Sequence, residues 1–119
     1  MKLKCISRFL SVALTLVLVL PYITYGQDLP ENEILGVWVD ERGETGSEFY
    51  RNEDGTFCAK VLWHVDPKKQ DRINLVFIKG MRYNASDNTW TTSYMYSPDH
   101  RLTARGTLWI KNGILYVKG

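Results

Sequence analysis

Three observations predict an all-β fold, an antiparallel up-and-down meander that forms a small barrel. After Glu33, apolar and polar residues alternate with a period of two through a series of short segments. Turn-forming residues separate those segments, Asp54-Gly55 and Asn112-Gly113 being the clearest. No stretch of useful length carries an amphipathic helical period. Short strands joined by local hairpins in series favour a meander.

The fold is expected to begin after a secretory signal peptide, Met1 to Gly26. Lys2, Lys4 and Arg8 form a positive n-region, Phe9 to Leu20 is a mostly apolar run of twelve residues, and Pro21 breaks it. Thr24-Tyr25-Gly26 places small residues where a signal peptidase requires them, before Gln27. The run is shorter than the ~20 residues that span a bilayer, which argues against a membrane anchor. Cys5 precedes the apolar run, on the wrong side for lipid attachment. The predicted organisation is a leader, 1–26, and one β domain, 27–119, in an exported protein of the periplasm or beyond.

The elements follow in order. Gly36–Asp40 is the first strand, with Gly43 and Gly46 in the turn after it. Ser47–Arg51 is the second, closed by Asn52-Glu53-Asp54-Gly55. Thr56–His64 is the third, with Phe57, Ala59, Val61 and Trp63 expected on one face. Asp66–Arg72, which contains Pro67, is a polar loop. Asn74–Tyr83 is the fourth strand, and its run Leu75-Val76-Phe77-Ile78 suggests cover on both faces. Thr89–Tyr96 is the fifth, with Trp90, Thr92, Tyr94 and Tyr96 expected to share a face. Arg101–Ile110 alternates most cleanly, with Leu102, Ala104, Gly106, Leu108 and Ile110 facing in. Gly106 in mid-strand marks a bulge or tight bend. Ile114–Lys118 is the seventh strand. Ending near that strand, the chain is expected either to be shortened at its C-terminus or to pair its first strand with its seventh.

Composition bounds the function. The full chain has fifteen Lys+Arg and thirteen Asp+Glu; without Lys2, Lys4 and Arg8 the balance is twelve against thirteen, a net of −1. A near-neutral domain gives no support for a nucleic-acid partner or an anionic membrane surface. Lys68, Lys69 and Arg72 read as a solvated loop. Ninety-three residues after the leader suffice for one small domain, which buries about 60–65% of its unfolded surface. Cys58 is the only cysteine left after processing, so no internal disulfide is available, and it reads as a buried, inert thiol. Stability is expected from Trp38, Trp63, Trp90, Trp109 and five tyrosines.

Several segments resemble a family of small exported bacterial proteins, catalogued as a domain of unknown function, with a lipocalin-like (calycin-type) β-barrel. Gly36-Val37-Trp38 resembles the family's Gly-x-Trp opening. Lys60-Val61-Leu62-Trp63 with Asp66-Pro67 is similar to its Lys-Ile-Val-Trp strand and loop. Trp90 with Tyr94-Met95-Tyr96-Ser97-Pro98 resembles its Trp and Ile-Tyr-Asp-Pro segment, and Leu115-Tyr116-Val117-Lys118-Gly119 its Leu-x-Val-Arg-Gly strand. The resemblance runs from about Ile34 to Gly119 and implies a lipocalin-like barrel. The chain departs from it at Ala59, where the family has Gly, at Ser97, where it has Asp, in the reduced loop Asp71-Arg72-Ile73-Asn74, and in lacking the further strand that follows in the family.

Motifs for catalysis are absent. His64 and His100 lie thirty-six residues apart with no cysteine or histidine at metal-ligand spacing, so neither a metal nor a cofactor is expected. Cys58 and His64 are about 20 Å apart along one strand at ~3.3 Å per residue, which rules out a dyad there. No serine has the Gly-x-Ser-x-Gly context. Asn84-Ala85-Ser86 matches a glycosylation sequon by pattern alone. Asp40, Glu41, Glu44 and Glu48 read as a solvated turn, the alternative being paired carboxylates of an envelope hydrolase.

The leading expectation is a non-catalytic binder of a small hydrophobic or amphipathic molecule, with Trp38, Trp63, Trp90 and Tyr94 lining the barrel's pocket. A filled core without a cavity has the same alternation. The second reading is a protein-interaction module of the envelope, using an open strand edge or exposed aromatics such as Trp109.

Overall fold

A computed structural model of the protein describes residues 2–9, as backbone, and residues 29–119. Its strands are β1 (Lys2–Phe9), β2 (Gly36–Asp40), β3 (Thr45–Arg51), β4 (Phe57–His64), β5 (Val76–Asn84), β6 (Thr89–Ser97), β7 (Leu102–Lys111) and β8 (Ile114–Lys118). From β2 to β8 each strand pairs antiparallel with the next, the all-β meander that alternation and turn signals predict. The bounds of β2 and β8 coincide with the sequence reading, and the others differ by one or two residues.

The expected pairing of the first and seventh strands does not occur. In a meander of seven antiparallel strands, the first and last run parallel to each other. A strand antiparallel to both fits between them, and β1 takes that place. It runs from Lys2 opposite Lys118 to Cys5 opposite Leu115 on one side, and from Cys5 opposite Asp40 to Phe9 opposite Val37 on the other. The barrel thereby closes. The sequence reading left residues 1–26 out of the fold, yet this strand comes from their n-region. The apolar run beyond Phe9 and the cleavage position before Gln27 lie outside the described residues.

One end of the barrel is solid. The 3-10 turn Pro30–Ile34 crosses it and puts Ile34 into the core with no exposed surface. Two indole N–H groups tie the turn down, Trp38 Nε1 donating to the Ile34 carbonyl at 2.8 Å and Trp90 Nε1 to that of Glu31 at 3.2 Å. A buried indole needs such a partner, because an unmade hydrogen bond there costs about 1–3 kcal/mol. Phe57, Met81, Leu108 and Leu115 complete this core, and Tyr83 packs on Trp90 with ring centroids 5.0 Å apart. Arg51 stacks its guanidinium 4.4 Å over Phe57 and reaches Asn32, sealing the edge.

The hairpin chemistry is as the sequence predicts at Asn112 and Gly113, whose φ values of 54° and 76° make a left-handed pair. At the β3–β4 turn Asp54 accepts from the Thr56 N–H at 2.9 Å and from its hydroxyl at 2.6 Å.

Towards the other end the ladders slip. β4 spends an extra residue, Leu62, between Val61 opposite Ser47 and Trp63 opposite Gly46. β5 does so at Phe77, between Val76 opposite Lys60 and Ile78 opposite Ala59, and again near Gly80, whose φ of 64° favours glycine. β6 takes three steps from Thr92 to Met95 while β7 takes two from Gly106 to Ala104. Gly106 is therefore not itself the bulge. It leaves room for the bulged strand's Met95, whose Sδ and Cε would lie 2.7 Å from a Cβ there. Each extra residue reverses the side-chain alternation beyond it.

Candidate functional site

The bulged end holds a cavity of about 220 Å³. Its floor and walls are apolar, with Trp38, Phe49, Val61, Ile78, Met95 and Val117 from five strands. Around its rim stand Asp40, Thr45, Ser47, His64, Arg72 and Asp99. Apolar depth below a few convergent polar groups is the usual form of a small-molecule site.

Local structure fixes each rim group. Asp40 ends β2, and its Oδ1 accepts the backbone N–H groups of Glu44 at 2.8 Å and Thr45 at 3.3 Å, which holds the β2–β3 turn. Thr45 lies opposite His64 across β3 and β4. His64 Nδ1 accepts the Asp66 N–H at 3.0 Å, so in the neutral ring the proton sits on Nε2. Asp66 then caps the 3-10 segment Pro67–Arg72 by accepting the Lys68 N–H at 2.9 Å. Gln70 braces the segment by donating to the carbonyls of His64 at 2.7 Å and Asp66 at 2.9 Å.

This segment, which the sequence suggests is a plain polar loop, delivers Arg72 to the rim. Its Nη1 lies 2.9 Å from Asp99 Oδ1 in the β6–β7 turn, and Lys69 Nζ lies 3.7 Å from the same oxygen. The hydrogen bond from Arg72 holds the Asp99 carboxyl below its usual range, and the nearby cations add to the effect against a small opposing cost of burial.

Of the four aromatic residues expected to line a pocket, Trp38 does. Trp90 lies in the solid end, 1% exposed and away from the cavity. Trp63 is turned off the inner face by the Leu62 bulge, so it does not share a face with Val61. Its ring covers Gly46 so closely that a Cβ there would sit 2.2 Å from Nε1. Tyr94 likewise does not share a face with Trp90. The β6 bulge turns it outward beside Lys79, whose Nζ stands 4.9 Å over its ring. Thr92 locks that bulge, its hydroxyl donating to the Lys79 carbonyl and accepting the Tyr94 N–H at 3.0 Å.

The structure brings to the cavity Phe77, Ile78, Met95 and Tyr96, together with His64, Arg72 and Asp99, which the sequence reading did not assign to a pocket. The doubly covered run Leu75–Ile78 was the one available signal. The bulge at Phe77 lets both Phe77 and Ile78 face the cavity. Arg72 and Asp99 carry no such signal, since only the closure of the barrel makes their loops neighbours.

The remaining candidates are dispersed. Glu48 pairs with Lys60 at 3.5 Å on the flank of the sheet, away from Asp40's cavity. Cys58 is buried and lies opposite Tyr50, whose hydroxyl is pushed up by burial and then by the neighbouring thiol. Trp109 stacks on Tyr116 with centroids 5.5 Å apart and planes 10° from parallel. Among the described residues no three His, Cys, Asp or Glu side chains come together as a metal set, and no helix is long and apolar enough to cross a membrane. Comparison with known protein families, curated proteins and solved structures found no match to this chain.

Proposed function

We propose that the protein is an exported, non-catalytic binder of a small hydrophobic or amphipathic molecule held at the open end of its barrel. The observation that carries this reading is the 220 Å³ apolar cavity under a polar rim. That volume exceeds the ~150 Å³ of a dry cavity that takes up benzene. It lies below the ~300–1,000 Å³ of sites for drug-sized ligands, so the ligand is a single ring or a short chain. Export follows from the leader read in residues 1–26, and places the protein in the periplasm or outside the cell. Membership of the lipocalin-like family of small exported proteins belongs to the same proposal, supported by the barrel and by the order of the matching segments.

Tryptophan fluorescence tests it. Hexanol titrated into the full chain is expected to give a saturable change. Trp38→Phe removes that change, and Trp63→Phe keeps it because Trp63 lies outside the cavity. A response that never saturates, or that survives loss of Trp38 and disappears with Trp63, rejects the site.

One observation favours a second reading, an interaction module. β2 and β8 both pair with a strand drawn from the predicted leader. Processing would leave two open edges for β-augmentation. Dimerisation on removal of residues 1–26 would support it, and a processed chain that stays monomeric and partnerless counts against it. An envelope hydrolase using Asp40, Glu44 or Glu48 has less support, since Asp40 serves a turn and Glu48 an ion pair.

A further inference from the structure

Three formal charges and one imidazole face the cavity. Arg72 and Asp99 neutralise each other at 2.9 Å. His64 engages its Nδ1 as an acceptor. Asp40 is different: among the described residues its carboxylate meets no cation, only the two backbone N–H groups on Oδ1. The cavity thus carries one uncompensated negative charge, half-buried at its wall. The same cavity is lined by four aromatic side chains, Trp38, Phe49, Phe77 and Tyr96. Ring faces attract cations through their quadrupoles, and aromatic walls with a carboxylate form a known chemistry for alkylammonium groups.

We infer that the ligand is a small amphipathic cation, an alkylammonium whose head lies against Asp40 and whose chain occupies the aromatic floor. The inference rests on the ligand-binding reading above and adds the sign of the head group. An anionic amphiphile would face Asp40 without a free cation to receive it. Arg72 would have to leave Asp99 first.

The test is calorimetric titration of the full chain with three probes: butyltrimethylammonium, hexanoate and hexanol. The cation is expected to bind at least about tenfold more tightly than hexanoate, the ratio that one charge-assisted contact supplies. Asp40→Asn keeps the Oδ1 acceptor that holds the turn. It should weaken the cation about tenfold and leave hexanol unchanged. Hexanoate binding as tightly as the cation overturns the inference, and so does a cation affinity indifferent to Asp40→Asn. In both cases retained hexanol binding keeps the binder reading intact. Failure of all three probes overturns the binder reading and the inference together. If Asp40→Asn does not fold, the cation-to-hexanoate ratio of the unaltered chain decides.

Discussion

The two ends of the barrel use the same strands and differ in how those strands are paired. At the closed end the ladders of β3 with β4, β6 with β7 and β7 with β8 run without a slip. There Ile34, Phe57, Trp90 and Leu108 are each at most 2% exposed. At the open end β4, β5 and β6 each take on an extra residue, and aromatic side chains such as Phe77 and Tyr96 stay half-buried. Regular pairing brings inward side chains together until no space remains. Bulges widen the strand spacing and re-aim side chains, so space and polar groups appear where the ladder is broken. The closed end supplies the stability that the open end gives up.

The sharpest way to break this comparison is to remove an aromatic residue from each end. Trp90→Ala is expected to cost about 3–5 kcal/mol, because it empties a filled core and loses the tie to Glu31. Tyr96→Ala should cost about 1–2 kcal/mol, since less of its surface leaves water on folding. Urea unfolding of both variants measures the difference. Equal losses would mean that the two ends are packed alike.

Added methyl groups sharpen it further. Gly46→Ala pushes a Cβ into the Trp63 indole at 2.2 Å and is expected to cost about 1–3 kcal/mol, while hexanol binding persists. Gly106→Ala meets only the flexible end of Met95 at 2.7 Å, so its cost should stay below about 1.5 kcal/mol. Thermal midpoints of the two variants give the order, and the reverse order would contradict the geometry.

The smallest effect is electrostatic. The Asp99 carboxyl is held below its unfolded range chiefly by the Arg72 hydrogen bond. The stabilisation is therefore present above the unfolded carboxylate range, near pH 4. It is lost as pH falls through the lower folded value. The Asp99 side chain is 59% exposed, so screening leaves only about a few tenths of a kcal/mol. Urea midpoints from acid to neutral pH should show that slope, and Asp99→Asn should flatten it. An unchanged slope in the variant would detach Asp99 from the rim.

Much of the fold was legible because its determinants are local. Period-two alternation marked seven strands, and Asn112-Gly113 named its own turn, since left-handed backbone is a property of one or two residues. Trp38 could be placed in the pocket because no slip separates it from its neighbours in β2 and β3. Trp63 and Tyr94 could not, because a bulge reverses alternation and depends on the partner strand as much as on its own. Thr92 shows why: its hydroxyl stabilises the bulge through Lys79, thirteen residues away.

The sequence by itself determined the β class, the strand order, the hairpins and the aromatic content of the core, all consequences of short-range periodicity and turn chemistry. Tertiary structure decided where the cavity lies, that Arg72 meets Asp99 over it, that Asp40 is left without a cation, and that Lys2–Phe9 fills the seam. These depend on which loops share an end of a closed barrel and on the parallel sense of its first and last meander strands. Both are properties of closure, and no local stretch of residues contains them.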